Sequence, residues 1–400
     1  MKILVIDEWL PWPLESGKKI RTYNLIRRLA KVFDICYVAY VRLPGEEDKI
    51  RIMEENGIRV FPVSDRRTIK WTPKFYYEVA LNLFSAEPFS STYHISDEFI
   101  DIMRSVIYNE KPDLVHCEWT NYAPLLEYAG SLPSVISAHN VESDIWRRFG
   151  EHGSSIFKRI LGNSQAKKIE RLERKWYPRA TMCIAVSPED QKVIQGYGSN
   201  VRLVENGVDI SYYNNSNNEL IDKNSIIFTA SFDTFSNQDG AEYLVKEIYP
   251  IIKTEIPGIN LWLVGKDPSY VLRSFPEMDA SVHVTGTVED VRPYIARSAV
   301  CIVPLRIGGG SRLKILEALA MKKAVVSTTV GAEGLSITDG DNILIADTPE
   351  RFSKCVVDCL LDNKKCEQLG KKGYQLISER YNWDRLAEYQ EKIWNEVILS

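Results

Sequence analysis

The feature that most constrains the fold is a repeated alternation of short apolar, β-rich runs with longer stretches of helical periodicity. KILVID (2–7), ICYVAYV (35–41), IRVFPV (58–63), DLVHCE (113–118), PSVISAH (133–139) and TMCIAVS (181–187) read as the strands of one sheet. The first is followed by 18–31, in which Ile20, Leu25, Ile26 and Leu29 fall at helical spacing. A second series follows the polar, Asn-rich stretch 212–225, the best linker in the chain. Its strands are SIIFTAS (225–231), INLWLVG (259–265), VHVTGTV (282–288), VCIVPL (300–305), AVVSTT (324–329) and NILIAD (342–347). Helical patterns at 238–254, 289–297 and 311–321 separate them, and Pro250 is expected to end or kink the first. Three further helices, 349–361, 364–379 and 383–398, close the chain. Such alternation builds parallel sheets with helices on both faces. At 400 residues the chain is too long for one ordinary core, so the reading is α/β, with two doubly wound domains joined near residue 210. Between Val63 and Pro112 the alternation fails, and the aromatic-rich segment there reads as a helical insertion.

Charge and cysteine usage narrow the function. Fifty Lys and Arg against 54 Asp and Glu give a formal charge of −4, which argues against a protein devoted to wrapping nucleic acid. Seven cysteines form no CxxC pair, and four of them sit inside strand-like runs as small core residues. Neither a disulfide framework nor a metal site is expected, and a reducing, cytoplasmic setting follows. Met1 leads straight into the first strand with no signal-peptide pattern, and no run has the ~18–20 apolar residues needed to span a bilayer. One local exception to the acidic balance is 157–179, with eight Lys/Arg and two Glu. It fits peripheral contact with an anionic inner membrane face, or equally a solvated face on an ordinary helix.

Ligands of doubly wound sheets sit outside the carboxyl ends of the strands, so chemistry is sought in those loops. The strongest signal is PLRIGGGSRLKILEALAM, 304–321. There a strand ends, Gly308, Gly309 and Gly310 follow, and a helix is expected from Ser311. Bare backbone N–H groups at a helix start hold anions, and Arg312 and Lys314 add positive charge. Glu317 lies ~8 Å further along the axis, the offset that separates a nucleotide diphosphate from its ribose hydroxyls. The plain alternative is a glycine loop ahead of a solvated, charged helix face. Gly17 opens the first helix after the first strand and reads either as a phosphate contact or as a structural helix start. His139 ends a strand on the ligand side, ahead of Asn140, Glu142 and Ser143. His116, inside its strand, is left as core. No two histidines, cysteines or carboxylates stand at metal-ligand spacing.

These residues resemble a known family. GGGSRLKILEALA followed by AVVSTTVGAEGL is similar to the carboxyl half of retaining family 4 glycosyltransferases of the GT-B fold, of the bacterial polysaccharide type. VENGVD (204–209), TGTVEDVRPYIARSAVCIVPL (285–305) and SERYNWDRLAEYQEKIW (378–394) extend the likeness, and PWPLESGKKIRTYNLIRRLA and SAHNVESDIW carry it into the amino half. The resemblance implies an acceptor domain at 1–210, completed by a returning helix at 383–400, and a nucleotide-sugar domain at 211–382, facing a central cleft. It gives Glu317 the nucleotide ribose, Gly17 the donor phosphates, His139 the transferred sugar, and Arg312 and Lys314 the diphosphate. Two departures stand out. The family pairs two glutamates eight residues apart, and the earlier position here is Gly309, where the N–H groups of Gly309 and Gly310 are expected to substitute. The Arg and Lys after the first strand of the second domain are replaced by SFDTFSNQDG (231–240), so that charge is expected to have moved to Arg312 and Lys314.

The expected function is therefore metal- and cofactor-independent retaining transfer of a sugar from a nucleoside diphosphate to a glycan or lipid-linked hydroxyl. The alternative to the N–H groups of Gly309 and Gly310 is a carboxylate from elsewhere in the chain, for instance Glu142. A sugar-nucleotide epimerase, or a non-catalytic binder of sugar nucleotides or glycans, are the alternatives. Incubation with nucleotide sugars in the absence of acceptor separates them.

Overall fold

The computed structural model describes residues 1–65, 67–69, 72–151, 155–214, 221–307 and 313–400. They divide into two compact units, Met1–Glu205 with Leu386–Ser400, and Asn206–Arg385.

Unit 1 is built on a seven-stranded sheet of order β3-β2-β1-β4-β5-β6-β7, parallel throughout. Its strands are β1 (Lys2–Trp9), β2 (Asp34–Val41), β3 (Ile58–Ser64), β4 (Leu114–Cys117), β5 (Ser134–Ala138), β6 (Met182–Ala185) and β7 (Val201–Leu203). The central strands are buried on both faces, which is why the sequence shows continuous apolar runs there. The segment 63–112 forms helices at Pro73–Asn82, Phe89–His94 and Asp97–Glu110, as its patterning predicts. Two helices, Glu142–Glu151 and Ile156–Trp176, pack so closely that a Cβ on Gly162 would lie 2.5 Å from the Gly150 Cα. The last helix, Trp383–Leu399, belongs to unit 1 from Leu386 onward.

Unit 2 has a six-stranded parallel sheet of order β10-β9-β8-β11-β12-β13. The strands are β8 (Asp222–Thr229), β9 (Asn260–Val264), β10 (Val282–Val284), β11 (Ser298–Val303), β12 (Ala324–Ser327) and β13 (Leu344–Ile345). The single helix expected at 238–254 is two, Phe235–Tyr243 and Tyr249–Glu255, joined by a π-turn at Leu244–Ile248. Pro250 stands in the first turn of the second helix, where its missing N–H costs nothing. Gly265, with φ of 149°, ends β9 so close to β8 that a Cβ would sit 1.7 Å from the Ala230 carbonyl oxygen. All seven cysteines are free thiols. Among the described residues no helix is long and apolar enough to cross a membrane, and no group of three His, Cys, Asp or Glu could hold a metal ion.

Both sheets have a point where strand order reverses: between β1 and β4 in unit 1, and between β8 and β11 in unit 2. Crevices at such points are the ligand sites of doubly wound folds.

Candidate active site

At the unit 1 switch point the loops after β1, β4 and β5 bring ionisable groups together. Ser16 caps the helix Gly17–Leu29 by accepting from the Lys19 amide, so Gly17 is the first helical residue directly after β1 and its loop. The next residue, Lys18, reaches back to Asp7 at the end of β1, 2.5 Å away. Burial pulls the Lys18 ammonium down, but Asp7, Glu8 and Glu118 outweigh it and hold it above its ordinary value. The same burial raises the Asp7 carboxyl.

Glu118, directly after β4, is the hub. It accepts hydrogen bonds from Thr22 Oγ1 at 2.7 Å and His116 Nε2 at 2.6 Å, and His139 Nε2 lies 3.1 Å from its Oε1 and 2.9 Å from its carbonyl oxygen. An indole N–H can only donate, so Trp394 Nε1 at 3.2 Å makes His116 Nδ1 an acceptor and leaves its proton on Nε2. His116 therefore donates to Glu118. Burial alone would raise the Glu118 carboxyl, yet the bonds from His116 and His139 hold it well below the usual carboxylate range. His139 is shifted down as well, but there burial prevails and favours the neutral ring. A neutral His139 that donates through Nε2 presents Nδ1 as an acceptor.

Glu142, at the start of the helix Glu142–Glu151, accepts from Trp119 Nε1 at 3.0 Å, and burial raises its carboxyl. Lys18 lies 5.1 Å above the Trp119 ring. Arg21 is fully buried, donates to the Glu205 carbonyl at 2.6 Å, and is lowered by burial to about 10.

At the unit 2 switch point, the helix Leu313–Ala320 follows β11. Lys314 Nζ donates to Asn237 Oδ1 at 2.7 Å and lies 5.0 Å above the Phe228 ring. The ammonium thus stands between β8 and the first turn of the helix Phe235–Tyr243, on the segment 231–240 that has no cation of its own. Asn237 is fixed in turn by donating to the Ser231 carbonyl at 2.7 Å. Glu317 is one turn further on, accepts a hydrogen bond from Tyr213, and has its carboxyl raised by burial. Gly309, Gly310, Ser311 and Arg312 lie outside the described residues, as does Gly308.

Of the residues singled out from sequence, Gly17 and His139 fall at one switch point and Lys314 and Glu317 at the other. Glu118, Asp7, Lys18 and Tyr213 were missed. For Glu118 a signal existed, since His116 and Glu118 are two apart along an extended segment and so share a face. His116 is core, as expected, but also a link in the Glu118 network. The basic stretch 157–179 is a less open basic face than its composition suggests. Lys168 is buried and donates to the Asn82 carbonyl, Arg174 pairs with Glu170 at 2.8 Å, and Lys175 and Arg179 lie against Trp176.

The chain is a protein of two doubly wound α/β units, each with ionisable side chains at its switch point. Residues 16–212 match the model described as Glycosyltransferase Family 4, and residues 223–362 that described as Glycosyl transferases group 1. The chain belongs to this glycosyltransferase family and has its GT-B architecture. Among curated relatives it is similar to an uncharacterized 44.6 kDa protein in the cps region of Klebsiella pneumoniae, 20% identical over 165 residues, or 40% of this chain. That match spans 42% of the Klebsiella protein's length. An uncharacterized glycosyltransferase of Methanocaldococcus jannaschii is 22% identical over 74% of this chain and 79% of its own. Among solved structures, Anabaena HepE in complex with UDP superposes with a TM-score of 0.68 at 14% identity, covering 99% of this chain and 100% of that one.

Proposed function

We propose that the protein moves a sugar from a nucleoside diphosphate to a hydroxyl of a glycan or lipid-linked acceptor, with retention and without a metal or cofactor. The observation that carries this reading is the pairing at the unit 2 switch point. Lys314 stands against the segment that follows β8, and Glu317 one turn along the same helix, so a cation for a diphosphate and a carboxylate for a ribose are carried by one element. The UDP bound to HepE, a protein of the same fold, supports a nucleotide donor. In the proposed reaction the bond between the sugar C1 and the β-phosphate oxygen breaks, and the acceptor oxygen bonds C1 on the same face. The acceptor proton passes to the departing diphosphate. Lys314, together with Arg312, neutralises the charge that develops on the leaving group. Neutral His139, fixed by Glu118, accepts a hydrogen bond from a hydroxyl of the transferred sugar. Glu142, raised by burial, contributes the carboxylate that Gly309 lacks.

Steady-state kinetics test this. Because the diphosphate gains charge as the glycosidic bond breaks, Lys314→Ala and Arg312→Ala should lower kcat roughly a hundredfold or more at saturating donor. Near-normal kcat in both would remove the leaving-group reading. Peripheral attachment to an anionic membrane belongs to the same proposal. Ile156, Phe157 and Ile160 are exposed beside Lys158 and Arg159 at the start of the helix Ile156–Trp176. Co-sedimentation with anionic but not neutral liposomes, weakening with salt, is the expected result.

A further inference from the structure

Unit 1 contains a cavity of about 830 Å³ beside the carboxyl ends of β1, β2 and β3, a volume suited to a ligand of several rings. We propose that it seats an uncharged glycan, and that the acceptor of this enzyme is a neutral oligosaccharide end rather than a phosphate- or carboxylate-bearing group. The inference rests on unit 1 being the acceptor-binding unit.

Among the described residues four cations line the cavity, and each is already matched on the same wall. Lys19 lies 3.2 Å from Glu15, and Lys49 is 2.5 Å from Glu46. Arg42 is 3.2 Å from Asp65. Arg67 bonds Asp65 at 2.7 Å and reaches Glu8 at 3.3 Å. An anion entering this space would meet four carboxylates, and would have to pull a cation away from its partner before gaining anything. A hydroxyl needs no such exchange. A guanidinium has five N–H donors and a carboxylate about four acceptor sites, so ion pairs of this kind keep edges that can donate to and accept from one polyol at the same time.

The shape and stiffness of the wall favour the same ligand. Trp9, at the end of β1, has Arg42 5.0 Å and Arg67 4.6 Å from its ring centre, and Arg67 also lies 4.3 Å from the Tyr40 ring. Planar cations stacked on aromatic rings make flat walls with polar rims, the surface that the C–H face and hydroxyl edge of a pyranose fit. Arg67 is nearly buried, so this wall is set before any ligand arrives.

The cavity is also continuous with the proposed reaction site. Glu8 contacts His94 Nδ1 at 3.1 Å, and the His94 ring packs 5.1 Å from Trp119. Trp119 holds Glu142 and lies under Lys18. The cavity wall and the His139 cluster are thus linked through one set of touching side chains. The balance also explains why Glu8 stays ionised: burial would raise it, but His94, Lys18 and Arg67 bring it down to about 2.

Saturation-transfer NMR on the full chain tests the proposal, with maltotriose, chitotriose and mannotriose as neutral probes and trigalacturonate as the anionic one. At least one neutral trisaccharide should bind, trigalacturonate should not, and Arg42→Ala should weaken the neutral signal tenfold or more. Glu46→Gln combined with Asp65→Asn strips two carboxylates from the wall and should admit trigalacturonate. The proposal is overturned if trigalacturonate binds the unaltered protein as well as the best neutral probe. It is equally overturned if no neutral probe binds, or if Arg42→Ala changes nothing. UDP binding by thermal shift on the same samples separates the two levels. Nucleotide binding without glycan binding sinks the cavity proposal alone, whereas absence of nucleotide binding from the whole common set of nucleoside diphosphates removes the transferase reading.

Discussion

The two sheets share one plan around their switch points, β3-β2-β1-β4-β5 in unit 1 and β10-β9-β8-β11-β12 in unit 2, yet they equip those points differently. Unit 1 buries its charges. Asp7, Arg21 and Glu118 are almost wholly covered, and Glu118 is fixed by three side-chain donors. Unit 2 places Lys314 on a neutral amide, Asn237, and Glu317 on a neutral phenol, Tyr213. A buried charge costs several kcal/mol unless its partners satisfy it, so the unit 1 groups are set by folding and their fields are largely consumed within the unit. The bond from Lys314 to an amide does not itself neutralise the ammonium, and Lys314 also acts on the nearby Glu317, whose carboxyl it lowers. Under the proposed function the difference separates positioning from charge stabilisation: unit 1 would offer a fixed, neutral histidine, and unit 2 a cation for the donor diphosphate.

The sharpest way to break that contrast is Glu118→Ala. It leaves His116 and Thr22 without their acceptor in a buried site and His139 with only the backbone carbonyl of residue 118, and should cost about 3–5 kcal/mol of stability. Urea unfolding at neutral pH measures it, and Glu118→Gln should recover part of the loss by restoring one acceptor oxygen. A loss under 1 kcal/mol for the alanine variant would mean that the unit 1 charges are not held by folding.

A second, smaller effect comes from Glu173, buried in the helix Ile156–Trp176. Ser143 Oγ donates to it at 2.5 Å and the Ser143 amide at 3.2 Å, but burial prevails and raises its carboxyl to about 7. The folded chain then binds a proton more tightly than the unfolded chain, whose value is near 4.5. Below about 4.5 the group takes nothing from stability. As pH rises to about 7 stability falls, and above that the whole gap is lost, on the order of 3 kcal/mol. Melting curves from pH 5 to 8 should show this slope in the unaltered protein and not in Glu173→Gln, which should be the more stable of the two at pH 8. A parallel decline in both would place the pH sensitivity elsewhere.

How much of this was legible in the sequence depends on distance along the chain. The central strands were, because a strand buried on both faces must be an apolar run. β7 was not, because an edge strand of three residues with Arg202 at its centre leaves almost no pattern. Glu317 and Lys314 were legible because one helix carries both, and His139 because it ends a strand. The Glu118 hub was not, since its partners Thr22, His139 and, through His116, Trp394 come from separate elements that only the sheet order brings together. Residues 308–312 were the strongest sequence signal, and the family model at 223–362 spans them.

The smallest effect is also the most discriminating. Glu317→Gln keeps the size of the side chain and can still accept from Tyr213, but it loses the charge that strengthens hydrogen bonds to ribose hydroxyls. Such bonds to a charged group are worth about 1.5–3 kcal/mol against about 1 for neutral ones, so the donor Kd should rise roughly tenfold. Ribose does not change charge during the reaction, and kcat at saturating donor should therefore fall far less than with Lys314→Ala. Stability should hold or improve slightly, because burial already disfavours the Glu317 carboxylate. Isothermal titration with the donor nucleotide, set beside urea unfolding of the same variant, gives both numbers. If Glu317→Gln instead loses several kcal/mol of stability with donor affinity unchanged, then unit 2 uses its carboxylate as unit 1 uses Glu118, and the division between a positioning unit and a charge-stabilising unit does not hold.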